Sequence, residues 1–170
     1  MASVIAYAAM CALSLPTPGA VSIALPRAPG IFGIYFFGAI FEETGWTGYA
    51  TERLQQRESI LRAGVTVGAV WAAWHIVPWW IGQQHTLHWV IGESIATILM
   101  RVIMGWIYAK GGKSLFLAIV FHAMINTSFS LFPNGGSHYN PLVSATVLAI
   151  VTGVLNGSLS RQSTPPKARP

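Results

Sequence analysis

The sequence predicts an all-α, multi-pass transmembrane helical bundle with five or six spans, forming one membrane domain over residues 1–170. Three observations point to this class. Of the 170 residues, 53% are hydrophobic and only 9% are charged, against roughly 25% charged in an ordinary soluble domain. Asp is absent, so the five acids are all Glu, too few to clothe a water-facing surface. Mean hydropathy is +0.53, and the apolar residues gather into stretches close to the about 20 needed to cross a hydrocarbon core of about 30 Å. The same figures exclude a disordered chain, and the single cysteine, Cys11, excludes a disulfide scaffold. The formal charge of +5 comes from basic residues scattered along the chain, which is no nucleic-acid surface.

The elements follow in order. Ser3–Leu15 is apolar but short and has no basic start, so it reads as a short helix rather than a signal peptide. Pro16–Gly30 is a Pro/Gly-rich linker. Five spans follow: Ile31–Tyr49, Ile60–Ile81, Trp89–Tyr108, Ser114–Phe132 and Pro141–Leu159. Residues 161–170, rich in Arg, Lys and Pro, read as a disordered cytoplasmic tail. If successive spans alternate in direction, Arg53, Arg57, Arg62, Lys110, Lys113, Arg161, Lys167 and Arg169 fall on one side and Arg27 alone on the other. By the positive-inside rule the basic loops and the tail face the cytoplasm of a cell-membrane protein.

Against this apolar background stand Glu42, Glu43, His75, Glu93, Arg101, His122 and Asn126. A charged residue at the centre of a span costs about 2.5–3.5 kcal/mol on insertion scales, so such groups face a cavity or a partner. Glu93 and Arg101 read as structural, pairing with other helices; together they also suggest a transporter or proton relay. His85, His88 and His138 fall in the uncharged loops and read as surface groups. Gly64, Gly68 and Ala72 form a small-residue stripe that admits a close helix neighbour.

The other five residues share a depth. At about 1.5 Å per residue, Glu42 and His122 each lie roughly 13 Å from the basic end of their spans, and His75 and Asn126 roughly 20 Å. His122 and Asn126, four apart, share a helix face, as do Trp71 and His75. Adjacent carboxylates in a poorly solvated layer can take a proton from water and return it to a leaving amine. Imidazoles can share that role, ligate a metal or donate to an oxyanion, as an Asn amide can. These groups together amount to amide or ester hydrolysis, although an ion pathway uses the same residue types. No His-Glu-x-x-His zinc helix and no serine elbow is present.

At these positions the sequence resembles the CPBP intramembrane proteases, also called Abi proteins, which include the type II CAAX prenyl endopeptidases. Their first motif, Glu-Glu-x-x-x-Arg within a stretch like EExGWRGYLxxRLQ, is met by FEETGWTGYATERLQ at 41–55. An aromatic residue three spacers before His is met by Trp71-Ala-Ala-Trp-His75, with Pro78 following, and His-x-x-x-Asn by His122–Asn126. The resemblance covers about residues 31–132. It implies an intramembrane endopeptidase with Glu42 as water-activating base, His75 assisting, Glu43 supporting that carboxylate, and His122 and Asn126 stabilising the oxyanion. It implies a peptide or membrane-protein substrate within the lipid bilayer and no nucleic acid. A metal is left open: Zn²⁺ or another divalent ion on His75, His122 and one of Glu42 and Glu43, or none.

The sequence departs from the family pattern twice. Thr47 stands where the first motif has Arg, which gives the alternative of an inactive relative acting as a membrane binding or bacteriocin-immunity protein, unless Arg101 supplies the guanidinium from another helix. Fewer spans precede the first motif than is usual, as in a shortened copy of the fold.

Overall fold

The computed structural model describes residues 2–162, with side chains described over residues 3–157. Among them all regular structure is helical: α1 (Ala2–Ala12), α2 (Ala28–Gly45), α3 (Glu52–Gln55), α4 (Ile60–Val77), α5 (Leu87–Lys110), α6 (Leu115–Ser130) and α7 (Pro141–Gln162). A π-helical turn, Trp46–Thr51, joins α2 to α3 without a break, and a second, Pro78–Gly82, extends α4. Each expected span is therefore met by helix, with ends shifted by a few residues. The α4 segment Ile60–Gly82 and α5 are long and apolar enough to cross a membrane; the apolar parts of α1, α6 and α7 are shorter.

The start and stop signals are local. Ser59 accepts a hydrogen bond from the Arg62 amide at α4, and Thr86 accepts one from the Trp89 amide at α5, each at 3.3 Å. Each satisfies a donor that the first helical turn leaves unpaired. The turn after α5 passes through Gly112 at φ +70°, where a side chain is disfavoured. Two expectations need correction. The linker ends before Gly30, because α2 begins at Ala28; Pro29 lies in its first turn, where the missing amide hydrogen costs no hydrogen bond. Arg161 and Gln162, placed in the tail, extend α7, since nothing in them breaks a helix; the rest of that tail, 163–170, lies outside the described residues.

α4 and α5 run antiparallel, with Gly64 against Val102 and Gly68 against Ile98, and cross-links identify the two ends of the bundle. At one end Lys113 donates to Glu52 at 2.8 Å and Tyr108 to Glu52 at 2.9 Å. The Lys113 bond holds the Glu52 carboxyl below the usual carboxylate range. Gln55 closes the same end by donating to the Gly105 carbonyl at 3.0 Å. At the other end Asn134 bonds the linker at Ser22 and Ala20, Tyr7 of α1 meets Phe132, and Trp89 meets Tyr139. The segments that carry Arg53 and Lys113 meet at the first end through Glu52.

Large apolar side chains cover the outside, with Ile34, Phe37 and Phe41 on α2 and Trp74, Val77 and Ile81 near the end of α4 all exposed. This is the reverse of a water-soluble helix and suits contact with acyl chains. Inside, Ala96, Met100 and Ile103 of α5 pack against Ala145 and Leu148 of α7. The small-residue stripe of α4 does what its spacing suggested. A Cβ on Gly64 would lie 2.7 Å from Val102 Cα, and one on Gly68 would lie 2.9 Å from Ile98 Cα. Van der Waals contact and backbone proximity hold helices together where lipid removes the hydrophobic drive.

Gly64→Val and Gly68→Val should each force α4 away from α5 and destabilise the detergent-solubilised protein by about 1–3 kcal/mol or more. Gly38→Ala, at a position with nothing within 4 Å of the added methyl, should leave the unfolding temperature unchanged or raise it. Thermal unfolding followed by circular dichroism checks the contrast.

Candidate active site

The candidate site residues sit on four helices that face one another. Glu42 and Glu43 are on α2, Trp71 and His75 on α4, Arg101 on α5, and His122 and Asn126 on α6. Because Glu42 and Glu43 are consecutive, they point about 100° apart around the helix and enter different environments. Glu43 is fully buried. Arg101 donates to both of its oxygens at 2.7 Å, Nη2 to Oε1 and Nη1 to Oε2. Thr47, one turn along, donates its hydroxyl to Glu43 Oε2 and accepts from Arg101 Nη1 at 3.3 Å. His122 Nδ1 lies 2.8 Å from Glu43 Oε1. One carboxylate thus ties α2 to both α5 and α6.

The guanidinium is buried too, with its Nε lacking a hydrogen-bond partner. Its central carbon lies 4.2 Å from the Trp71 ring centroid, so the indole face supplies the attraction that a further acceptor would otherwise give. Thr47, the departure from the family motif, therefore sits in a cluster where Arg101 brings a guanidinium from another helix to the second motif glutamate.

Glu42 turns instead toward a cavity of about 350 Å³. Trp71 Nε1 donates to Glu42 Oε2 at 3.1 Å, and the Trp71 ring meets His75 and His122 edge-on, with centroids 5.1 and 5.2 Å apart. His75 Nδ1 lies 2.8 Å from the Trp71 carbonyl. A carbonyl can only accept, so Nδ1 carries the proton and the neutral ring keeps its lone pair on Nε2. Glu42, His75, His122 and Asn126 all line this one cavity. Of the five residues expected in the site, four meet there, and Glu43 stands behind them as a support.

Trp71 was read from sequence only as the aromatic of a motif, yet it touches Glu42, His75, His122 and Arg101; the i to i+4 spacing with His75 was the available signal. Glu93, read as structural, lines the same cavity with Tyr139, which donates to it at 2.9 Å. The loop histidines stay outside it: His85 stacks on Trp89 and bonds Gln83, and His138 bonds Ser137. Among the described residues no three His, Cys, Asp or Glu groups converge as metal ligands. The reason is visible at Glu43, whose oxygens are taken by Arg101, Thr47 and His122.

Comparison with known proteins identifies the family. Residues 24–128 match the model of the family described as type II CAAX prenyl endopeptidase Rce1-like. A curated relative, CAAX prenyl protease 2 of Methanococcus maripaludis, is 31% identical over 121 residues, which cover 66% of this chain and 44% of the relative. The chain thus spans less than half the length of that relative. The matched region carries all three motifs, most of the cavity lining and the Glu43–Arg101 pair, and its helices are those of a membrane protein. The chain belongs to the Rce1-like type II CAAX prenyl endopeptidase family.

Proposed function

We propose that the protein is an intramembrane endopeptidase that hydrolyses a peptide bond with a water activated by Glu42 and His75. The observation that carries this reading is the convergence of Glu42, His75, His122 and Asn126 on one cavity. The family supports it, as does the name of the relative, a CAAX prenyl protease. The substrate is a peptide or membrane-protein segment reached within the bilayer, and the basic end of the bundle faces the cytoplasm.

The chemistry follows from the hydrogen bonds. Water bound between Glu42 and His75 Nε2 attacks the peptide carbonyl carbon while Glu42 takes its proton. The carbonyl electrons move to oxygen, where Asn126 and His122 Nε2–H donate to the oxyanion. Collapse breaks the C–N bond, and Glu42 returns the proton to the leaving amine. Donation by His122 requires an imidazolium, because Nδ1 is already engaged with Glu43. With His122 in that form, the charges of Glu42, Glu43, Arg101 and His122 cancel, which a low-dielectric site favours. Glu43 orients and supports His122 as the buried Asp of a catalytic triad does its His. Every step above uses the chain's own side chains, and no three metal-ligating groups cluster among the described residues.

Arg101 is a positioning residue. It fixes Glu43, and Glu43 fixes His122, so the guanidinium acts on chemistry it does not touch. Its presence beside Thr47 supports an active enzyme over a binding-only relative.

Glu42→Gln should lower kcat by at least about 10²-fold, the low end of what a positioned base contributes, with the helical circular-dichroism signal unchanged; His75→Ala and His122→Ala should do likewise. Cleavage of a reconstituted, internally quenched prenylated CAAX peptide measures this, and wild-type rates in Glu42→Gln would end the reading. Arg101→Ala should unpair Glu43 at a cost of about 3–5 kcal/mol and abolish cleavage. Thr47→Arg in that background should restore part of both stability and kcat by returning a guanidinium to Glu43 from its own helix. A folded, fully active Arg101→Ala protein would show that the pair positions nothing.

A further inference from the structure

The catalytic groups occupy only one part of the cavity. Glu42, Trp71, His122 and Met100 line the cavity together with Gln83, Glu93, Tyr139 and Ser144. Beside Tyr139 the cavity holds a second acid. Glu93 is buried, and no Lys, Arg or His is within ion-pairing distance of it among the described residues. Tyr139 donates to Glu93 Oε2. Burial pushes the Tyr139 hydroxyl far above its ordinary value, and Glu93 adds to that rise, so the phenol stays protonated and keeps donating. The Ser144 hydroxyl lines the same end, buried beside the Tyr139 hydroxyl. Around these oxygens stand aromatic rings: Trp79 packs edge-on to Trp89 with centroids 5.9 Å apart, and Phe129 meets Tyr139 at 5.0 Å.

We propose that this end of the cavity is a subsite for an organic cation, the ammonium or guanidinium of a side chain on the bound peptide, held by Glu93 and Ser144 against the Trp89 and Trp79 rings. Among the described residues Glu93 has no compensating charge, so a cation brought by the ligand would be the first to pair with it. Rings beside a carboxylate suit an organic cation, which gains from π faces as well as from the charge. A divalent metal would want more anionic oxygens than one carboxylate supplies. Position is set by the helix. Glu93 precedes Met100, which lines the cavity next to Arg101 in the chain, by seven residues on α5, roughly 10 Å of rise. An extended peptide advances about 3.3 Å per residue, so the cation belongs about three residues from the bond that is cut.

The inference rests on the peptidase reading for the identity of the ligand, so its test reads binding and leaves cleavage as a separate measurement. The probes are fluorescein-labelled nine-residue alanine–leucine peptides with one lysine walked along the chain, each paired with its norleucine counterpart. They are titrated by fluorescence anisotropy into Glu42→Gln protein in zwitterionic nanodiscs. At one position, about three residues from the site at which the wild-type protein cuts, lysine should bind roughly tenfold tighter than norleucine, as expected for a charge-assisted bond. Adding Glu93→Gln, which keeps size and a hydrogen-bonding carbonyl, should remove the difference and leave norleucine affinity unchanged. Trp89→Leu should shrink the difference while keeping Glu93 in place. Equal binding of the paired peptides at every position, a preference that survives Glu93→Gln, or no binding by either peptide overturns the subsite. A lysine preference in a wild-type protein that cleaves nothing would sink the peptidase reading and leave the subsite standing.

Discussion

The structure depends on one ion pair: Glu43 of α2 against Arg101 of α5, both buried and joined by two 2.7 Å hydrogen bonds. Moving such charges out of water costs several kcal/mol per ion, and the attraction between them offsets that only with good geometry and further hydrogen bonds. Both conditions are met. The fork of the guanidinium matches the carboxylate, Thr47 and His122 take the remaining sites on Glu43, and Trp71 covers the face of Arg101. Because these partners come from α2, α4, α5 and α6, the cluster has few alternative registers. Sliding any one helix by a turn would strand a charge in the interior.

That constraint puts two neighbouring glutamates in opposite surroundings. Glu43 has no freedom left, and its rigidity passes to the His122 ring through Nδ1. Glu42, about 100° around the helix, keeps one hydrogen bond to Trp71 and an open side toward the cavity. The same indole borders Glu42, both imidazoles and the guanidinium, so a single bulky side chain sets several spacings at once. Close contact between α4 and α5 at Gly64 and Gly68 brings Trp71 over Arg101, linking a backbone feature one or two turns away to the geometry of the site.

Much of this was legible in the sequence. The spans follow from apolar runs interrupted by Pro, Gly and polar residues, and alternation was checked by where the basic residues fell. The shared depth of Glu42, His75, His122 and Asn126 followed from counting at a fixed rise, and those four do meet. Arg101 could be suspected as the missing guanidinium because a buried charge in a span needs a partner. Other features had no local signature. Helical spacing shows which residues share a face, but it leaves the rotation of one helix against another undetermined, so the turn of Glu43 away from the cavity was hidden. Tyr139 comes from a loop between α6 and α7, and its approach to Glu93 is a long-range contact. The π turn at Trp46–Thr51 is likewise set by packing, since the segment reads as ordinary helix.

The account is tested most directly by a double-mutant cycle on the stability of the purified protein, using Glu43→Gln, Arg101→Met and the two together. If the pair organises the bundle, each single change leaves a buried charge exposed to the interior, and the double change relieves it. The single costs should then exceed the double cost, with a coupling of about 2 kcal/mol or more, within the range seen for residues in one network. Costs that simply add to within about 0.5 kcal/mol, as for independent sites, would mean that these groups do not hold the helices together.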